Sequence, residues 1–402
     1  MLKTPFFPRM MDLCDSMNWK NWAGYHAVSS YQILHDSEYF AFRTSAGILD
    51  ITPLFKYRIS GSDSAAYLSQ IMVKDIRRLE VGRVTYLCWC TDEGKVVDDG
   101  TVMRRDEEEF FVTSADPCFS WFSRFLRGYR VALEDISEQV AGLAIQGPTS
   151  RDILKQLTDA NLDELKFFRT EKARMDDFYV WISRTGYTGD LGYEIWVENR
   201  YALRLWDIIM AAGRSYALRP AGLNALDVCR IEAGLILKNV DYYNALHVLI
   251  DTRKSSPFEL SLGWTVELDR EPFNGHGPLR KEKNLGSRWA IVGLDIDWQE
   301  LETLYARHGL PPEVGNLAWR KSIPIYAGRG RKKQIGYATS GTWSPIIKKN
   351  IALATVQSGY DKTQTKVWVE LTVEHIRYVV TAIVQKPQFY NPQRKRSNPD
   401  RS

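Results

Sequence analysis

Histidine is scarce. The chain has 6, at His26, His35, His247, His276, His308 and His375, and they are scattered without a His-Glu-x-x-His pair or a similar ligand spacing. No metal site is expected. A Gly-x-Ser-x-Gly elbow is missing too, which excludes the usual serine hydrolase arrangement. Cysteine is sparser still, with 5 in all, an odd number. Cys88 and Cys90 are spaced too tightly for a common zinc site. On a strand they share one face, so they read as small buried apolar residues. Free thiols fit a reducing compartment. No run approaches the ~20 apolar residues of a membrane helix. Residues 1–11 lack the apolar stretch and cleavage pattern of a secretory leader. The expectation is a cytoplasmic chain with no membrane partner. A surplus of one charge is also absent: 53 basic against 49 acidic residues leave +4, too little to argue for nucleic acid. Part of that excess lies in the tail 391–402, where Arg394, Lys395, Arg396 and Arg401 accompany Pro392 and Pro399. It reads as a flexible, solvated end. Gly328-Arg329-Gly330 mimics a phosphate loop but lacks the following Gly-Lys-Ser/Thr, so it reads as a basic hairpin turn.

What remains is ordinary globular material: 402 residues, 44% hydrophobic and 25% charged, enough for two or three domains. Residues 54–146 alternate like strands at 55–59, 84–90, 96–103, 110–114 and 141–145. Residues 91–94 give a hairpin signal, and helical spacing falls at 65–71 and 119–126. Helices are expected at 150–156, 202–212 and 223–237, with strands at 178–183 and 192–197. Beyond residue 284, short strands recur with turn signals between them, the pattern of a small antiparallel barrel. The fold class is α+β.

Two segments carry chemistry. In Gly94-Lys95-Val96-Val97-Asp98-Asp99-Gly100, two acids sit side by side in an apolar strand. Alternation sends them to opposite faces. One must then face core or cavity, where a carboxylate is costly unless paired or functional. A strand end with both acids solvated fits the same residues. In Ser183-Arg184-Thr185-Gly186-Tyr187-Thr188-Gly189-Asp190-Leu191-Gly192-Tyr193-Glu194, glycines permit close approach to a planar ring. The tyrosines can stack on such a ring and Glu194 can accept from an amino-pyrimidine edge. A purely structural hairpin fits here too.

With Thr4-Pro5-Phe6-Phe7, Gln146-Gly147-Pro148, Arg219-Pro220-Ala221-Gly222-Leu223, Asp227-Val228-Cys229-Arg230-Ile231-Glu232 and Thr339-Ser340-Gly341-Thr342-Trp343-Ser344-Pro345, these segments resemble the glycine-cleavage T-protein (aminomethyltransferase) superfamily. The resemblance runs through nearly the whole chain. It implies a three-domain cloverleaf around a central hole for tetrahydrofolate. The expected domains are 1–53 with 140–255, then 54–139, a connector 256–284, a barrel 285–390 and the tail. The resemblance also implies that Asp99 is the carboxylate near folate N5. By the same resemblance, Tyr86 would lie beside the folate, Tyr187 would stack on the ring, Glu194 would hold the pterin and Leu54 would pack on it.

The chain departs from the T-protein pattern at several positions. Leu226 stands where an arginine is usual, which removes five donors from a polar site. Thr113 replaces an asparagine, Phe167 a tyrosine and Pro53 a histidine. These departures resemble the demethylase branch, whose members pass a methyl group from a methoxy-aromatic, sulfonium or methylated amine to N5 of tetrahydrofolate. Tyr242 is then the candidate proton donor or substrate ligand. Trp22, Tyr25 and His26, in an aromatic N-terminal block, are candidate substrate residues. A lipoyl carrier protein is not expected as a partner. An aminomethyltransferase is the alternative. A non-catalytic folate binder ranks last, because Phe273-Asn274-Gly275-His276-Gly277 lacks the cysteine of those relatives.

Overall fold

In the computed structural model, which describes residues 1–313, 315 and 317–398, the strand signals assemble into three main sheets. The first has six strands, in the order Thr170–Met175, Phe178–Ser183, Gly192–Glu198, Val140–Gln146, Gly47–Asp50 and Arg219–Pro220. Only the last pairing is parallel. Helices Ser150–Lys155 and Ala202–Ala212 cover it, burying Ile153, Leu154, Leu205, Trp206 and Ile209 in a common core with Ile145, Val180 and Ile195. Each such fully buried large side chain contributes about 1.5–3 kcal/mol.

The second sheet runs Val84–Cys90, Val96–Asp106, Glu109–Ser114, Phe55–Ser60 and Ala132–Asp135. Its hairpin turns at residues 91–95, as the sequence suggests, with Cys88 opposite Asp99. Cys88 and Cys90 are fully buried, and all five cysteines are free thiols. The third sheet is a closed six-stranded barrel: Trp289–Ile296, Lys349–Gln357, Gln334–Ser344, Ile323–Tyr326, Lys366–Val373 and Ile376–Gln385. The Gly328-Arg329-Gly330 segment links two of its antiparallel strands, as a hairpin turn should. Among the described residues, no helix is long and apolar enough to cross a membrane.

Helix Leu223–Glu232 is where these bodies meet. Its last residue, Glu232, is fully buried and accepts from Tyr39 at 2.6 Å, Arg43 at 2.6 Å and the barrel residue Ser344 at 2.5 Å. Arg230 donates to Asp227 at 2.8 Å and to Asp241 at 2.6 Å. Asp241 in turn accepts from Thr339 and Ser340 of the barrel. Buried ion pairs of this kind define a unique arrangement more than they add stability. Here they fix the segment that leads into Tyr242.

Two expectations need correction. The helix expected over 223–237 stops at Glu232, because Gly234 turns left-handed (φ +70°) where a β-carbon would lie 2.4 Å from the Pro387 carbonyl oxygen. The tail is not loose up to Asn398. Arg394 is bound to the buried Asp190, and the fully buried Arg184 holds the backbone after it. Pro399 and Arg401 lie outside the described residues.

Candidate active site

The strand Val96–Asp106 sets the site. Gly100 lets the neighbouring strand close: a β-carbon there would lie 1.9 Å from the Thr113 carbonyl oxygen. No larger residue can follow Asp99 without parting the two strands. Alternation then divides the two acids. Asp98 is fully buried on the core side. Its counter-ion is Lys238, whose ammonium lies 2.8 Å from Asp98 and 2.7 Å from Asp116. Burial pushes the Asp98 carboxyl up to about 6, against the opposing pull of Lys238. Burial also works against the charge on Lys238, but its two carboxylates outweigh it and raise the ammonium above its ordinary value.

Asp99 turns to the other face. Tyr86 donates its hydroxyl to one oxygen at 2.8 Å, and Tyr242 donates to the other. The backbone N–H of Asp99 donates to Asp98 at 2.9 Å, so the two acids are held as a unit. Burial raises the Asp99 carboxyl, and the two phenols and Lys238 pull it back down. Both phenols are themselves raised by burial and by the Asp99 charge, so they stay protonated donors. Replacing Tyr242 with Phe removes one donor and raises Asp99 further. Turnover is expected to fall about tenfold to a hundredfold, with its acid limb moved to higher pH. A pH–rate profile of the variant checks this.

Asp99, Tyr86, Tyr187 and Glu194 are closely surrounded by protein, yet each keeps some accessible surface. Asp99, Tyr86 and Tyr187 also lie within electrostatic reach of one another, the arrangement of groups around a common recess. Tyr187 donates to the Ile236 carbonyl, which fixes its ring, and its hydroxyl feels the Asp99 charge. Its loop closes on Gln146, since β-carbons at Gly186 or Gly192 would fall on that side chain. Glu194 accepts from Thr185 at 2.6 Å through one oxygen, and no described residue donates to the other. Burial raises its carboxyl. A half-committed, enclosed carboxylate fits a ligand that brings its own N–H donors.

The other expected residues fall into two groups. Leu54 and Trp22 join an apolar patch with Phe168 and Leu226, and Phe167 packs edge-on against Phe168 at 4.6 Å. The remaining three are occupied elsewhere. The Thr113 hydroxyl is spent on Thr101 at 2.7 Å within the sheet. The His26 ring packs at a tilt against Phe7 at 5.8 Å and edge-on against Trp19 at 6.1 Å. Tyr25 pairs with Trp22 across the hairpin turn and feels Glu138 and Asp135. Two residues escaped the sequence reading. Lys238 carries only a weak signal, a lysine at the end of an apolar run. Trp264 stacks on Tyr86 at 6.1 Å while 67% exposed, and sits in a segment without periodicity. Among the described residues, no group of His, Cys, Asp and Glu is arranged to hold a metal ion.

Comparison with known proteins agrees with the fold. A family profile described as the GCVT N-terminal domain matches residues 12–270, and the glycine cleavage T-protein C-terminal barrel domain matches residues 307–391. An aminomethyltransferase of Thermoanaerobacter sp. (strain X514) is 31% identical over 98% of this chain and 99% of its own. A trimethylamine-oxide aldolase of Ruegeria pomeroyi is 34% identical over 89% of this chain, which spans 43% of that longer protein. The crystal structure of the Bartonella henselae glycine cleavage aminomethyltransferase T superposes with a TM-score of 0.81. It covers 97% of this chain and 98% of its own at 21% identity, a likeness of fold.

Proposed function

The chain belongs to the glycine-cleavage T-protein family, and from that membership and the recess around Asp99 we propose that it transfers a one-carbon unit to N5 of tetrahydrofolate. The observation that carries the proposal is the half-buried Asp99 carboxylate held between the Tyr86 and Tyr242 hydroxyls. Tetrahydrofolate supplies a nucleophilic nitrogen at N5 when bound. Its amino-pyrimidine edge is a row of N–H donors, the complement of the open oxygen of Glu194. Tyr187 offers an aromatic wall, and Leu54 with Leu226 an apolar one. Asp99 is the group on hand to take up a proton or to balance positive charge as a nitrogen is alkylated. Tyr86 and Tyr242 keep that carboxylate oriented and limit its basicity. Enclosure strengthens each of these interactions.

For the donor, an aminomethyl group is the first choice, because it is what the names of most of these relatives state. A methylated donor is the second. It is favoured by Leu226, which makes apolar the position where an arginine is usual, and by the phenol of Tyr242 beside Asp99. The trimethylamine-oxide aldolase likeness adds a relative whose name states an N-methylated compound. Anaerobic incubation with tetrahydrofolate separates the two. An aminomethylated lipoyl carrier is to give 5,10-methylenetetrahydrofolate. A sulfonium, methoxy-aromatic or methylated amine is to give 5-methyltetrahydrofolate. No folate product from any donor would sink both.

A further inference from the structure

Asp98 faces away from the recess but is joined to it through Tyr242. Alkylation of N5 forms a bond with the nitrogen lone pair, and the donor's bond breaks with its pair kept by the leaving group. Asp99 is placed to take the N5 proton. Both of its oxygens already accept from a phenol, Tyr86 on one and Tyr242 on the other. A proton arriving on the Tyr242 side therefore displaces the proton of the Tyr242 hydroxyl. That hydroxyl has a second acceptor, Asp98 Oδ1, at 3.4 Å.

From Asp98 the file of titratable groups continues outward. The Lys238 ammonium lies 2.8 Å from Asp98 Oδ2 and 2.7 Å from Asp116 Oδ2. The Asp98 and Lys238 side chains are 0% and 3% exposed, whereas that of Asp116 is 26% exposed. The Asp116 backbone N–H donates to Asp98 Oδ2 at 3.0 Å, which seats the outer acid beside the inner one. Among the described residues, the other titratable side chain bonded to Asp98 is Cys118, at 3.7 Å. Burial raises the Cys118 thiol, so it stays protonated and offers no branch. Charge also fits passage. One carboxylate would neutralise Lys238. Two leave the trio with one negative charge in excess, so it can hold an extra proton without building up positive charge. Burial sets Asp98 at about 6, a value suited to taking up and giving up a proton near neutral pH.

We propose that Tyr242, Asp98, Lys238 and Asp116 form a relay that carries the N5 proton from Asp99 through the strand to solvent while the recess is occupied. Each step is a hand-over. Asp99 gives its proton to Tyr242 as the phenol's own proton passes to Asp98. Lys238 releases a proton to Asp116 as it takes the one on Asp98. Asp116 then yields its proton to water, and every member of the relay ends as it began. This rests on the folate reading above and deepens it: Asp116, acting only through Lys238 and Asp98, becomes the outlet of the site.

The test is Asp116→Asn, assayed anaerobically with tetrahydrofolate and whichever donor of the panel above gives a folate product. At low buffer, turnover is expected to fall about tenfold to a hundredfold, with KM for tetrahydrofolate unchanged. The solvent isotope effect on turnover should rise, because proton exit becomes limiting. Added imidazole, which can accept the proton at the surface, should restore most of the rate. Asp116→Ala is the second variant. Formate replaces its missing carboxylate, so its rate should rise with formate and not with chloride at equal ionic strength. Wild-type turnover in the Asn variant overturns the relay and leaves the folate reading standing. So does a loss that neither imidazole nor formate relieves, which marks a structural or purely electrostatic role. If the wild type forms no folate product with any donor, both fail.

Discussion

Replacing Asp99 with Asn is expected to lower turnover about a thousandfold while tetrahydrofolate affinity changes only a few-fold. The two side chains have the same shape, so packing is preserved. Their hydrogen-bonding capacity differs. Asp99 accepts from both Tyr86 and Tyr242. Asn has one acceptor oxygen, and its amide nitrogen would meet a phenol that is itself placed to donate. The variant also loses the negative charge that can take up a proton or balance a developing cation. Single-turnover kinetics with equilibrium binding would separate these terms. Wild-type turnover would remove Asp99 from the chemistry.

Lys238→Met should have the largest effect on stability. Its side chain is 3% exposed and Asp98 is wholly enclosed, so removing the cation leaves a buried carboxylate without its partner. Such a break costs about 3–5 kcal/mol. The pH dependence gives the result its signature. Asp98 is already raised to about 6 by burial, and without Lys238 it rises further. A carboxyl whose folded value exceeds its unfolded one favours folding in the protonated form. Its contribution is present at low pH and is lost as pH rises through the folded value. The variant should therefore lose more stability, relative to wild type, at pH 8 than at pH 5. Urea unfolding at both values measures this. Its acid limb of turnover should also move to higher pH, because Asp98 and Asp99 titrate as a pair. An equal loss at both pH values would mean that Lys238 serves only as packing.

Much of the framework was legible in the chain because it depends on local period. Alternation through Val96–Asp106 separated Asp98 from Asp99, and the structure gives one to a buried lysine and the other to the recess. Turn residues marked the hairpin before them, and the regular strands after residue 284 announced the barrel. What local pattern does not carry is the identity of partners brought together by folding. Tyr242 meets Asp99 across 143 residues of chain, a contact visible only after the helix Leu223–Glu232 has docked. Lys238 belongs to the same approach. The tail misled for a similar reason. Its composition is that of a solvated end, but Asp190 and Arg184 wait for it on another domain. The helix boundary at Glu232 was obscured because apolar spacing continues past the residue where Gly234 turns the backbone. His26 and Thr113 show the converse. Their residue types suit a binding site, but ring–ring packing and a sheet hydroxyl pair already occupy them.

The most direct test of the account is a crystal structure of the wild-type chain grown anaerobically with tetrahydrofolate. A pterin is expected in the recess, with its amino edge on Glu194, its face against Tyr187, and N5 within hydrogen-bond reach of Asp99. A folate bound elsewhere, or a recess that stays closed at saturating tetrahydrofolate, would contradict it.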